Sequence, residues 1–319
     1  MNKPHDILKA LVLVVLTLGI ATAAQAQATR TFVSGVGNDA DPCSRTAPCR
    51  TWAGALIKTF INGEINALDP GGYGTANITK SIMIDGNSTH GSTLASGTTG
   101  FIINIPVNAN DPHRSVRLRN LSINGTGASG TVGTRTGTDG IRFLAGTSLF
   151  VENTLINDFS SDGIEVSASS NEGNVVSVVL DNVQIRNVNG TGIRMLHNNA
   201  SGQIAATLNN VRVHTAATGI QGSNRTRIGI NHSVVTSCTT GLNQSGTDNI
   251  MNVDDTFVSY ATTGVQSSAG NTIRMSDSIV TQNATGLNPN GGIIHSLSGN
   301  TIFGNSVDGA FNGGPTLKS

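Results

Sequence analysis

With 319 residues, 39 of them glycine and only 12% charged, the chain is too glycine-rich and charge-poor for an ordinary helical or doubly wound domain. Lys+Arg and Asp+Glu number 19 each, so no net charge draws the protein to nucleic acid or to an anionic membrane.

Residues 1–26 read as a signal peptide. Lys3 and Lys9 give a short positive segment, residues 11–21 an apolar run too short to span a bilayer, and Ala24-Gln25-Ala26 the small residues a signal peptidase accepts. Cleavage is expected after Ala26, with Ala28 as second choice, and no later stretch is apolar enough for a membrane span. The mature protein is therefore expected to be secreted or periplasmic. In that oxidising setting Cys43 and Cys49, six residues apart in a turn-rich segment, suit a small disulfide loop. Cys238 reads as a buried, inert filler.

Residues 27–86 differ in pattern from the rest of the chain and read as an N-terminal capping segment with the first coils. Residues 51–62 place Trp52, Leu56 and Phe60 at helical spacing behind a plausible Thr51 N-cap, and this helix should cover the N-terminal end of the core. Residues 64–68 then read as a strand, 69–73 as a turn and 82–86 as a strand and turn.

From residue 87 to 319 one pattern recurs. A six-residue stretch reads as a strand at 118–123, 151–156, 180–185, 208–213, 230–235, 253–258, 275–280 and 297–302. About ten residues after most of these comes glycine plus an aliphatic, at Gly140, Gly163, Gly192, Gly219, Gly241, Gly264 and Gly286. The intervals between those glycines are 23, 29, 27, 22, 23 and 22 residues. Such a period, with β-branched residues at fixed positions, is what a solenoid of β coils requires. Leucine-rich and calcium-binding nonapeptide repeats lack this composition. The fold expected is all-β, a single-stranded right-handed parallel β-helix continuous with the first coils. Roughly nine or ten coils at about 4.8 Å would make a rod near 45 Å long. Val151, Leu180, Leu208 and Val253 should stack inside it.

The N-terminal order supports the same answer from another direction. Residues 37–41, 48–51, the Ala-rich helix, Pro70-Gly71-Gly72-Tyr73 and 82–86 resemble the N-terminal module of secreted bacterial right-handed parallel β-helix proteins in the pectin-lyase-like superfamily. The resemblance spans essentially the whole mature chain. It implies the fold firmly and the chemistry weakly, because that superfamily holds lyases, hydrolases, esterases and adhesins.

Two lines of residues emerge from aligning the coils. The third position of the hexamer holds Asn120, Asn153, Asn182, Asn210, His232, Asp255 and Asp277. Amide and acid interchange along it, so it reads as a turn ladder rather than a metal-binding line. The residue after each Gly-aliphatic pair should point outward, and it runs Arg142, Glu165, Arg194, Gln221, Asn243, Gln266, Asn288. Charge is confined to its first three members, whose coils are lengthened by insertions at 125–138, 167–174 and 197–202. Loops beside a charged face form the grooves of β-helix enzymes.

The candidate surface is thus Asp139, Arg142, Asp162, Glu165, Arg194 and His197, with Arg194, Glu165 and Asp162 as catalytic candidates and Arg142, Asp139 and His197 as substrate-binding ones. In the superfamily's lyases an acidic cluster holds calcium against a uronate while an arginine or lysine removes the α proton. The resemblance therefore implies a polysaccharide lyase ahead of a glycoside hydrolase, since the Gly-His-Gly and Arg-x-Lys companions of the hydrolases' paired aspartates are missing around Asp254-Asp255. The sequence itself requires no cofactor, and calcium enters only with lyase chemistry. Against this stands a plain ladder of surface ion pairs.

Aromatic residues are few. Phe143, Phe257 and Trp52 fall at expected core positions, and Tyr73 and Tyr260 are left for stacking on sugars. The expected partner is a polysaccharide or cell-surface glycan. The rival reading is a non-catalytic structural or adhesive rod, and the weakly covered C-terminal end, with only the flap at 311–315, suits end-to-end self-association.

Overall fold

The computed structural model describes residues 27–89, 91–125, 135–168 and 174–314, so the leader expected at 1–26 lies outside the described residues. One coil shows how the chain is laid. Strand Asn249–Asp254 ends at Asp255, the chain turns into Phe257–Ser259, turns again at Tyr260, runs through Thr263–Ser267, and turns at Gly270 into Asn271–Ser276 of the next coil. Each coil therefore has three sides, and like sides hydrogen-bond in parallel to form three sheets.

The first sheet runs without a break from Ala28–Val33 through Thr59–Ala67, Ile82–Asp85, Ser115–Arg119, Ser148–Asn157, Val175–Arg186, Gln203–Asn209, Thr226–Asn231, Asn249–Asp254 and Asn271–Ser276 to Ile293–Ser298. The N-terminal segment and the repeats thus share one hydrogen-bonded ladder. The second sheet contains Phe257–Ser259 and its equivalents, and the third contains Thr263–Ser267 with the glycine pairs. Val151, Leu180, Leu208, Ile230, Val253 and Met275 are register partners inside the first sheet, all at most 2% exposed. Burial of each such side chain contributes about 1.5–3 kcal/mol.

The recurring hexamer bends around a corner rather than forming one straight strand. Its third residue is left-handed in every expected member: φ is 54° at Asn120, 48° at Asn153, 52° at Asn182, 50° at Asn210, 49° at His232, 40° at Asp255 and 46° at Asp277. Asn and Asp tolerate this backbone better than other non-glycine residues. Their side chains also link the coils. Nδ2 of Asn153 donates to Asn120 Oδ1 at 3.3 Å, Asn182 to Asn153 at 2.8 Å, and Asn210 to Asn182 at 3.1 Å.

The seven glycines of the third sheet answer to a different constraint, since none has a left-handed φ. They mark close approach of backbone. A Cβ on Gly264 would meet the carbonyl oxygen of Gly286 and Cγ1 of Val280, both at 2.7 Å.

Other local expectations are revised. The helix α1 is Trp52–Lys58, shorter than 51–62, with Thr51 Oγ1 accepting from Gly54 N at 2.9 Å as its N-cap. From Thr59 the chain is already a strand paired with Ala28–Val33, so Phe60 is half exposed instead of facing inward. Trp52, Ala55 and Leu56 are the buried face. Tyr73 is fully buried, its ring centroid 4.7 Å from that of Trp52 and its hydroxyl donating to Asp69, which removes it as a sugar platform. Tyr260 is exposed as expected, at a left-handed corner. Phe257 faces outward in register with Val234 and Ile279, not into the core. Cys43 and Cys49 form a disulfide, and Cys238 is buried, with its thiol pushed up to about 11 by desolvation.

At the C-terminal end Phe303 and Val307 are exposed, while Asn312 of the flap fastens Ile294 N through Oδ1 at 2.8 Å. Because the glycine column leaves no room for a methyl group, Gly264→Ala is expected to lower stability by about 1–3 kcal/mol. A thermal melt of the variant that matches wild type would show that the coils give way there without strain.

Candidate functional site

The first three charged coils bring five of the six candidate residues together. Arg142, Glu165 and Arg194 are consecutive register partners on the third sheet, followed by Gln221, Asn243, Gln266 and Asn288. Asp139 and Asp162 each precede the close-packed glycine of their coil, a position held by Thr191, Thr218, Thr240, Thr263 and Thr285 in later coils.

Arg194 is clasped by two carboxylates. Its Nε donates to Asp162 Oδ2 and its Nη2 to Glu165 Oε1, both at 2.7 Å. The other Glu165 oxygen, Oε2, lies 2.8 Å from Arg142 Nε. Asp162 Oδ1 accepts from Thr191 N at 2.7 Å, and Asp139 Oδ1 accepts from Asp162 N at 3.1 Å. Asp139, Asp162 and Glu165 are each 4% exposed, whereas the two arginines keep an outer edge in water. The expected surface ladder is thus real as a pairing pattern but lies deeper than a surface pair: the acids form a buried floor under half-exposed guanidinium groups.

Electrostatics follow from that layering. Burial raises the Glu165 carboxyl above the usual range, outweighing the pull of Arg194 and Arg142, with Asp139 and Asp162 adding to the rise. For Arg194, burial opposes the charge, yet the hydrogen bond and charge of Asp162, then Glu165 and Asp139, prevail and hold the guanidinium more basic than usual.

His197 is not part of this assembly. It alternates with Arg194 along strand Thr191–His197, faces inward with 1% exposure, and packs its ring against Gly202, where no Cβ would fit. The 197–202 insertion thus folds over the histidine. The other insertions lie partly outside the described residues, at 126–134 and 169–173.

The ligand oxygens of Asp139, Asp162 and Glu165 lie within 4.8 Å of one another, a spacing that suits a metal ion. Each of their oxygens nevertheless already faces a donor. Five of the six oxygens accept from the donors given above, and Thr99 Oγ1 lies 3.5 Å from the sixth, Asp139 Oδ2. As arranged, the residues fit two guanidinium groups and do not fit calcium unless those are displaced.

A feature the sequence reading missed lies on the first sheet. A groove of about 670 Å³ is lined by Arg30, Glu64, Met83, Ser115, Arg117 and Phe150 among others, with the Arg117 guanidinium 5.1 Å from the centroid of the Phe150 ring. The signal was present, since Phe150 stands between the inward Leu149 and Val151 and so must face outward.

The three-sided coil and its stacked corners define a parallel β-helix. Among solved structures the chain resembles pectate lyase Pel9A at 12% identity, with a TM-score of 0.51 over 85% of this chain and 76% of that one. A GH136 lacto-N-biosidase from Eubacterium ramulus overlaps less well, with a TM-score of 0.42, 12% identity and coverage of 85% and 67%, and carries no argument. No family model and no curated protein matches.

Two outcomes test the layered cluster. Arg194→Ala leaves Asp162 and Glu165 short of a counter-charge, and the expected loss is about 2–3 kcal/mol, below that of a fully buried pair because the guanidinium edge is wet. For Glu165 the folded-state value is raised, so its contribution to stability is full below the unfolded value and is lost as pH rises through the folded one. Melting temperatures across that window should fall for wild type relative to Glu165→Gln, and parallel curves would refute the raised value.

Proposed function

We propose that the protein binds an acidic polysaccharide outside the cytoplasm, with the sugar chain lying along the third sheet. The observation that carries this reading is the unbroken outward column from Arg142 through Glu165, Arg194, Gln221, Asn243 and Gln266 to Asn288, one side chain per coil. Spaced about 4.8 Å apart, guanidinium edges and amides present hydrogen-bonding groups along a line, as an extended chain of hydroxyl-bearing rings demands. The likeness of the fold to a pectate lyase agrees with a saccharide ligand, and the Cys43–Cys49 bridge agrees with an oxidising compartment.

The reading is of binding rather than β-elimination. A guanidine that removes an α proton must be neutral, and Arg194 is held as a cation by Asp162 and Glu165. The two guanidinium groups already bound to the carboxylates likewise compete with calcium for them.

A panel of uronate-containing and neutral glycans, each with and without calcium, tests this. Binding is expected with no new absorbance from unsaturated uronate, no new reducing ends and no calcium-dependent rise in melting temperature. Unsaturated product would overturn the binding reading in favour of a lyase, and failure to bind any glycan would favour a structural rod.

A further inference from the structure

Six described arginines reach a carboxylate: Arg30 pairs with Glu64, Arg117 with Glu152, Arg119 with Asp85, Arg142 and Arg194 with Glu165, and Arg227 with Asp248. In each of these pairs the partner is supplied by a neighbouring coil. Other arginines turn to neutral partners, Arg50 to Gly72 O, Arg274 to Asn252 Oδ1 and Arg45 to the Phe32 ring. On the second sheet two arginines stand together beside an open hollow.

There Arg186 and His214 are register partners on adjacent strands, and Gln184 and Arg212 are register partners two residues earlier. The four side chains make a two-by-two patch at the edge of a hollow of about 470 Å³, completed by Asn187, Val213, Val234 and Thr236. No Asp or Glu lines it, and Arg186, Arg212 and His214 are exposed. His214 Nδ1 is 2.8 Å from Thr215 Oγ1, and Asp158 of the preceding coil is engaged by Asn157 Nδ2 at 2.5 Å. Like charges on neighbouring strands cost stability. Val234 and Thr236, the register partners of Arg212 and His214 on the next strand, line the hollow with short side chains and leave it open.

We propose that this hollow is an oxyanion site that takes a carboxylate or sulfate carried on a saccharide chain. The assignment rests on the polysaccharide reading above and moves its charged contact to a different sheet. The Arg142–Glu165–Arg194 assembly has spent its guanidinium charge on its own acids, so it contributes hydrogen bonds and shape. Arg186 and Arg212 have not, and their planar forks, with the Gln184 and Asn187 amides beside them, suit a planar carboxylate or a tetrahedral sulfate.

The test compares wild type with the Arg186→Gln/Arg212→Gln double variant and, as a control, Arg274→Gln on the first sheet, by calorimetric titration. The probes are a uronate oligosaccharide, a sulfated oligosaccharide, a neutral oligosaccharide of matched length, and a short DNA duplex. Arg186 and Arg212 are exposed, and circular dichroism checks that the double variant keeps its fold. The proposal expects one or both anionic oligosaccharides to bind wild type and to lose about tenfold or more in the double variant, with binding weakened by salt. The arm that responds tells carboxylate from sulfate. Equal affinity in the double variant overturns the site. Binding of the neutral oligosaccharide alone overturns it too, yet leaves the polysaccharide reading intact, whereas no glycan binding in any arm removes both. DNA binding as tight as that of the anionic saccharides overturns the commitment to a saccharide.

Discussion

Each coil must reverse direction within a few residues while its neighbours above and below do the same at the same height. A left-handed residue at the first corner achieves this, and the cost of that backbone for an L-amino acid restricts the position to a short set of side chains. Asparagine suits it best here because its amide also donates to the next asparagine, as between Asn182 and Asn153. The ladder thus joins a local requirement, a backbone angle, to a global one, a common register. Stacked aliphatic side chains, the glycine column and the three continuous sheets all depend on that register being kept.

Inside the rod the same logic reappears with buried amides. Asn271 Oδ1 accepts from Asn249 N at 3.2 Å and Asn249 Oδ1 from Thr226 N at 3.1 Å; Asn305 and Asn283 repeat the arrangement at another corner. Backbone N–H groups that point into the corners would otherwise be unsatisfied in a dry interior. Polar satisfaction, and not apolar burial alone, therefore sets where the coil can bend.

Much of this was legible in the residues. The 22-residue beat, the inward aliphatics and the interchange of Asn with Asp at one position each express a constraint that repeats, and repetition makes a weak local signal readable. The outward column was legible for the same reason, and so was the gathering of Asp139, Arg142, Asp162, Glu165 and Arg194. What could not be read was depth. Sequence places Glu165 beside two arginines, but only the stacked coils bury its carboxyl beneath them. His197 was misplaced because alternation along Thr191–His197 puts it on the inner side, which the irregular coil length concealed. Tyr73 lies in the first coils, outside the repeat alignment, whereas Phe257 was misjudged because the left-handed corner at Asp255 shifts the alternation, so that Thr256 and Val258 face in and Phe257 faces out. The Asn249–Asn271 and Asn283–Asn305 pairs, of which Asn249, Asn271 and Asn283 are buried, carried a signal in their 22-residue spacing that outward chemistry alone does not reveal.

The glycine column has one more consequence. A Cβ on Gly241, Gly264 or Gly286 would meet the carbonyl oxygen of the next coil's equivalent residue, or of Asp308 in the last case, at 2.5–2.7 Å, so every coil presents nearly the same socket above that it fills below. A unit of this kind can be duplicated or deleted whole without disturbing either neighbour. The number of coils then becomes a ruler, setting how far the outward column extends while the geometry of each step stays the same.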